Sequence, residues 1–242
     1  MKITLDWLKE KSSCKDGQEY FAEHFPDGAE YQDVLDHLAE ENNVSWACWL
    51  MQIAGQTNAV LEVDELISEN SVFFAGDIIV KGAIKVDKWL LAGKRIMARK
   101  NIVAGKGIMA RKNIVACQGI KAGWGIETDE NIVADWEIKA GGGIEAGQGI
   151  KAGQGIKAGQ GIEADWGIEA RWGIKAGWGI KAGYGIKAGY GIKAREYIKA
   201  GGYIKAGKEI ESGWGIEAGQ GIQAIKKPKN ILLGTFKFNK EE

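Results

Sequence analysis

From residue 78 to residue 222 a large apolar side chain returns every six residues: Ile78, Ile84, Leu90, Ile96, Ile102 and so on to Ile222, in 25 consecutive hexads of the form Ile-x-Ala-Gly-x-Gly. Two residues after each comes a smaller one, first Val80 and Val86, then Ala92, Ala98, Ala104 and almost only Ala; Thr128 and Ser212 are the exceptions. Residues i and i+2 of a strand share a face, so the Ile and Ala columns point inward and the residue between them, Lys or Glu in most hexads, points out. The Gly-x-Gly that follows predicts a tight corner whose glycines tolerate positive φ. A three-residue strand with a three-residue turn buries nothing alone, whereas stacked coils share a continuous core. The pattern therefore predicts a mainly-β protein, a β-solenoid. An amphipathic helix is excluded, because a period of six does not match a helical turn of about 3.6 residues and Gly recurs throughout.

The first seventy residues follow another rhythm. Leu5, Trp7 and Leu8, then Tyr20, Phe21 and Phe25, then Val34, Leu35 and Leu38, then Trp46, Trp49, Leu50 and Ile53 recur at helical spacing. Pro26-Asp27-Gly28 and Asn42-Asn43 read as turns between helices, and Gly55 as the end of the fourth. Such a piece has a thin core of its own, so it is expected to dock on the solenoid and cap its first coil. The chain divides into an acidic helical head (1–70), a hexapeptide-repeat solenoid (71–225) and a basic C-terminal tail or cap (226–242).

Two hexads per turn make a flattened twelve-residue coil; three make a triangular coil of eighteen. Ile96-Met-Ala-Arg-Lys-Asn followed twelve residues later by Ile108-Met-Ala-Arg-Lys-Asn favours the flattened form. So does packing, because facing antiparallel strands would set each Ile against an Ala. At about 4.8 Å per coil the rod is roughly 60 Å long if flat and roughly 40 Å if triangular. The Ile-x-Ala-Gly unit resembles the short-strand repeats of bactofilin-type polymers and haemagglutinin-type adhesins, both right-handed β-helices. The resemblance covers the solenoid only; it implies a right-handed coil and, for the bactofilin type, a cytosolic rod, but bactofilin-type rods polymerise through bare ends and this chain has a helical head. Hexapeptide acyltransferases differ: they place the small residue two positions before the large one and use a histidine between coils, and this solenoid has none.

Charge changes the picture. The chain is neutral overall, but residues 1–70 hold 15 acidic and 4 basic residues, and the remainder balances them. Within 81–112 ten Lys or Arg face the single Asp87. Lys88, Lys94, Lys100, Lys106 and Lys112 occupy the corner position of five consecutive hexads, joined by Arg95, Arg99 and Arg111, and this basic ridge is a candidate contact for an anionic partner. A second outward row, Lys175 to Lys205 at six-residue steps, reads as a solubilising surface. Trp124, Trp136, Trp166, Trp172, Trp178, Tyr184, Tyr190 and Trp214 share the same corner position, with Tyr197 and Tyr203 one residue later. Some of these rings are expected to cover neighbouring Gly backbone. A ladder of exposed aromatics beside Lys and Arg is also typical of protein, nucleic-acid and sugar interfaces.

Catalytic signals are weak. His24 and His37 are the two histidines and neither sits in a ligand motif with Cys or an acid; Cys14, Cys48 and Cys117 lack metal spacing and read as free thiols of a cytoplasmic protein. The Gly-x-Gly units open no helix, which argues against a nucleotide site. No cofactor, metal, catalytic set or membrane segment is expected. The leading expectation is a non-enzymatic binding rod whose basic and aromatic edges hold a protein or nucleoprotein complex with an acidic surface, or nucleic acid, as a phage or mobile-element inhibitor of a host defence complex would. A self-assembling structural rod, hence a homo-oligomer, and a carbohydrate-binding solenoid are the alternatives.

Overall fold

The Ile and Ala columns bury as their spacing requires. In the computed structural model, which describes residues 1–226, 228, 230–234 and 236–238, the inward Ile side chains from Ile78 to Ile222 are at most 3 % exposed and form one continuous core with the Ala, Val and Leu of their strands. The strands are parallel and each pairs with the one eighteen residues away: Ile84 lies beside Ile102, Ile102 beside Ile120, Ile120 beside Ile138. Three parallel sheets result, of 11, 9 and 10 strands. Face one runs from Val60–Val63 and Asp77–Val80 through Ile96–Ala98 to Gly221–Ala224 and Phe236–Phe238. Face two runs from Leu66–Ser68 and Ile84–Val86 to Glu209–Ser212. Face three runs from Val72–Phe74 and Leu90–Ala92 to Gly215–Ala218 and Ile231–Leu233. The solenoid is thus triangular, with roughly ten turns, and at about 4.8 Å per turn the rod is about 50 Å long.

The flattened twelve-residue coil is overturned, and backbone geometry gives the reason. Two strands per turn need corners that reverse the chain and would pair residues twelve apart, whereas the hexad strands pair eighteen apart; the tightest reversals also often use glycine at positive φ. No corner glycine between Gly76 and Gly221 has positive φ; Gly28, Gly55 and Gly234 are the glycines that do. Each corner bends the chain by only a third of a rotation, so three close the coil. Corner glycine therefore answers a different need from the one expected. A Cβ on Gly153 would lie 1.8 Å from the Asp135 carbonyl oxygen of the turn below, and one on Gly177 1.9 Å from that of Gly159. Glycine here permits close stacking of backbones, not left-handed geometry.

The head contains four helices, α1 (Leu5–Glu10), α2 (Lys15–His24), α3 (Tyr31–Glu40) and α4 (Val44–Ala54). Thr4 and Asn43 cap α1 and α4 by accepting from the amides of Trp7 and Trp46. Gly28, Asn42 and Gly55, marked as turns by the sequence, take positive φ. The helices cap the first turns of the rod from the side, on face three. Phe73 and Leu91, whose strand positions point outward, are buried with Leu35, Leu38, Leu50 and Met51, and Met109 packs at the margin. The Gln32 amide bridges the strand edge, donating to the Phe73 carbonyl and accepting from the Ala75 amide.

Solenoid strands begin at Val60, inside the stretch assigned to the head, because the corners at Glu69-Asn70-Ser71 and Ala75-Gly76-Asp77 lack the Gly-x-Gly that makes the repeat visible. Inward residues of this first turn, Leu61, Val63, Leu66, Val72 and Phe74, are only half-buried. At the other end Ile231–Leu233 and Phe236–Phe238 extend two of the sheets. Residues 227, 229, 235 and 239–242 of the expected basic tail lie outside the described residues.

Candidate functional site

An eighteen-residue coil decides which side chains share an edge. The corner between faces two and three carries Lys88, Lys106, Trp124, Trp178 and Trp214; that between three and one carries Lys94, Arg95, Arg111, Lys112, Trp166 and Tyr184; that between one and two carries Arg99, Lys100, Trp136, Trp172 and Tyr190. The basic ridge and the aromatic ladder read from the sequence are thus each distributed over three edges. Several of the cations are engaged locally. Arg95 clamps the buried Asp77, with Nε to Oδ1 at 2.9 Å and Nη2 to Oδ2 at 3.0 Å, and this guanidinium holds the Asp77 carboxyl below the usual range. Lys88 donates to Asn70, Lys94 donates to Asn58, and Arg111 stands 3.9 Å from Asp129.

The aromatics divide by position. Tyr197 and Tyr203 lie over Gly179 and Gly185 of the turn below, so they cover backbone as the sequence led us to expect of some rings. The eight rings at the preceding position project outward and are 51–70 % exposed. Six of these eight, Trp136, Trp172 and Tyr190 on one edge and Trp124, Trp178 and Trp214 on the other, flank face two.

Face two itself holds what sequence reasoning missed. Its outward positions stack Lys121, Lys139, Lys157, Lys175 and Lys193 in register over five consecutive turns. At about 4.8 Å per turn the row spans about 19 Å. Among the described residues Lys193 pairs with Glu211, while Lys121, Lys139, Lys157 and Lys175 have no carboxylate within ion-pair distance. A shallow groove of about 300 Å³ lies on this face, lined by Lys157, Lys175, Lys193 and Tyr190 together with Glu137, Glu209 and Glu211. The other members of the second lysine row fall elsewhere: Lys181 and Lys199 on face three, Lys187 and Lys205 on face one, and the first three of these bind Glu163, Glu217 and Glu169.

Face three has the opposite sign over three of its turns, before Lys181 and Lys199 continue the column. Above the docked head a groove of about 900 Å³ is floored by Gly123, Gly125 and Gly141 to Gly143, walled by Trp89, Trp124 and Trp178, and edged by α4 at Val44, Ser45 and Cys48. Glu127, Glu145 and Glu163 stack along it. Burial, then Glu145 and Asp129, raise the Glu127 carboxyl above its ordinary value. Lys106 approaches the face of Trp124, 5.8 Å from the ring centroid. Carboxylates beside indole faces suit a cation-bearing chain.

In the head, the fold brings His24, His37 and Glu41 together, although neither histidine sits in a recognisable ligand motif along the sequence. The signal in the sequence was the His37–Glu41 spacing, one helical turn; the approach of His24 required the tertiary structure.

The fold defines a β-solenoid with a helical cap and charged, aromatic-edged faces. Residues 1–57, which span the four helices, match the family described as the YdhT N-terminal domain. No curated protein and no solved structure matches the chain. No helix among the described residues is long and apolar enough to cross a membrane.

Proposed function

We propose that the protein is a non-catalytic scaffold whose rigid rod seats an acidic protein surface on face two. The observation that carries this is the in-register row of Lys121, Lys139, Lys157, Lys175 and Lys193 between two edges bearing exposed Trp and Tyr. Stacked ammonium groups repel one another, and a carboxylate-rich partner relieves that repulsion while the flanking rings supply apolar contact. The backbone of the row is fixed by the ladder of hydrogen bonds, so the ordering cost of binding is confined to the side chains. Poly-L-glutamate, single-stranded DNA and a neutral polysaccharide are the probes. Poly-L-glutamate should bind tightest, quench Trp fluorescence and release as salt rises, and the Lys139→Glu/Lys157→Glu/Lys175→Glu variant should bind it at least tenfold more weakly. DNA winning at matched charge moves the proposal to a nucleic-acid partner; an unchanged triple variant sinks it. In a phage or mobile-element setting such a surface would serve an inhibitor that occupies the acidic face of a host complex.

A second reading, self-assembly of rods end to end, is favoured by the half-buried inward residues of the first turn, which the flank-docked helices leave without a further coil beneath them. Sizing from 1 to 100 µM decides it: a constant monomer removes end stacking, and growth that Leu66→Glu abolishes supports it.

A further inference from the structure

We propose that the head holds a divalent transition metal of the zinc type between His24, His37 and Glu41, where the C-terminal ends of α2 and α3 meet. One ligand atom from each residue lies within 4.8 Å of the others. The two imidazole centroids are 4.8 Å apart and His37 Nε2 is 3.9 Å from Glu41 Oε1. His37 Nε2 is also buried without a hydrogen-bond partner, a cost that a metal ion would remove.

The surroundings orient the other two donors as the outer shell of a metal site does. His24 Nδ1 lies 2.9 Å from the Tyr20 carbonyl oxygen. It donates there, which fixes the tautomer and leaves the lone pair on Nε2. The Tyr20 hydroxyl donates to Glu41 Oε2 at 2.6 Å and leaves Oε1 to coordinate. Both helices present their carbonyl ends here, and the partial negative charge of those ends favours a cation.

Two imidazoles and one carboxylate form the N,N,O set that zinc accepts, with metal–ligand distances of about 2.0–2.2 Å and a fourth, solvent-filled position. Each donor has to move inward by an ångström or so, which exposed His24 and Glu41 side chains permit. Calcium and magnesium, which take oxygen donors, are disfavoured. An ion there ties the end of α2 to the end of α3, a cross-link within the unit that packs on face three.

The test is titration of chelator-stripped full-length protein with Zn²⁺ by calorimetry, and with Co²⁺ by absorption. We expect one ion per chain, a tetrahedral Co²⁺ spectrum without a thiolate charge-transfer band, and at least a tenfold weaker affinity in His37→Gln and in His24→Gln separately. His24 is exposed, so its variant tests the site even where His37→Gln perturbs the fold, which circular dichroism checks. No binding below 100 µM Zn²⁺, a thiolate band assigning the ion to Cys14, Cys48 or Cys117, or wild-type affinity in the His24 variant overturns the proposal.

Discussion

Leu90 and Leu91 are neighbours that serve different structures, and truncating each separates the rod from its cap. Both are buried, at 0 and 1 % exposure, but Leu90 points into the solenoid core and Leu91 into the cluster formed with α3 and α4. A buried Leu→Ala change costs about 2–5 kcal/mol, from lost burial and the cavity left behind. A head of this size has little stability when detached, so the cost of Leu91→Ala falls on head docking and head folding together. Taking about 3 kcal/mol, opening of the head becomes on the order of a hundredfold more frequent. Native-state hydrogen exchange reads this directly: α3 and α4 amides should lose about two decades of protection in Leu91→Ala, while the strands from Ile126 onward keep theirs. Leu90→Ala should instead lower protection in Val72–Phe74, Leu90–Ala92 and Ile108–Ala110. Equal losses in the rod strands from both variants, with the helices unchanged, would refute the assignment of Leu91 to the docking face.

Two further changes probe single buried or crowded groups. The Thr128 hydroxyl is buried in the Ala column without a hydrogen-bond partner, so Thr128→Val should raise stability by about 1 kcal/mol, and Tm by about 2–4 °C in a thermal melt; a lower Tm would show that the hydroxyl is satisfied. Glu127 has its carboxyl pKa raised by burial and by Glu145 and Asp129, so its neutral form is favoured and its contribution is lost as pH rises through the folded value. Glu127→Gln should therefore raise Tm by about 1–2 °C at pH 7, an advantage that disappears below the unfolded value of about pH 4.3. An advantage that persists at pH 3 would show that charge is not its source.

The solenoid was legible because its signal is redundant: every hexad but that of Leu90 repeats the same inward Ile, with a smaller residue two positions on. The docking of the head left an ambiguous trace, in apolar residues at outward positions: Leu91 and Met109 pack on the head, but Met97, Val103 and Val115 lie on the other faces. The coil number left no such trace. It is set by how far each corner bends the backbone, and the twelve-residue repeat at Ile96 and Ile108 is a repetition along the chain that space does not follow; Arg99 and Arg111 go to different edges.

That single quantity controls the reading of the whole surface. With twelve residues per coil Lys121 would stack on Val133, Glu145, Lys157, Glu169 and Lys181, an alternating and largely self-neutralised column. With eighteen it stacks on Lys139, Lys157, Lys175 and Lys193, a column of one sign. Glu127, Glu145 and Glu163 separate onto the neighbouring face by the same step. Charges that cancel along the sequence are thus sorted by the coil into a Lys column on face two and a shorter Glu column over three turns of face three, and a protein with no net charge gains a surface able to attract a charged partner.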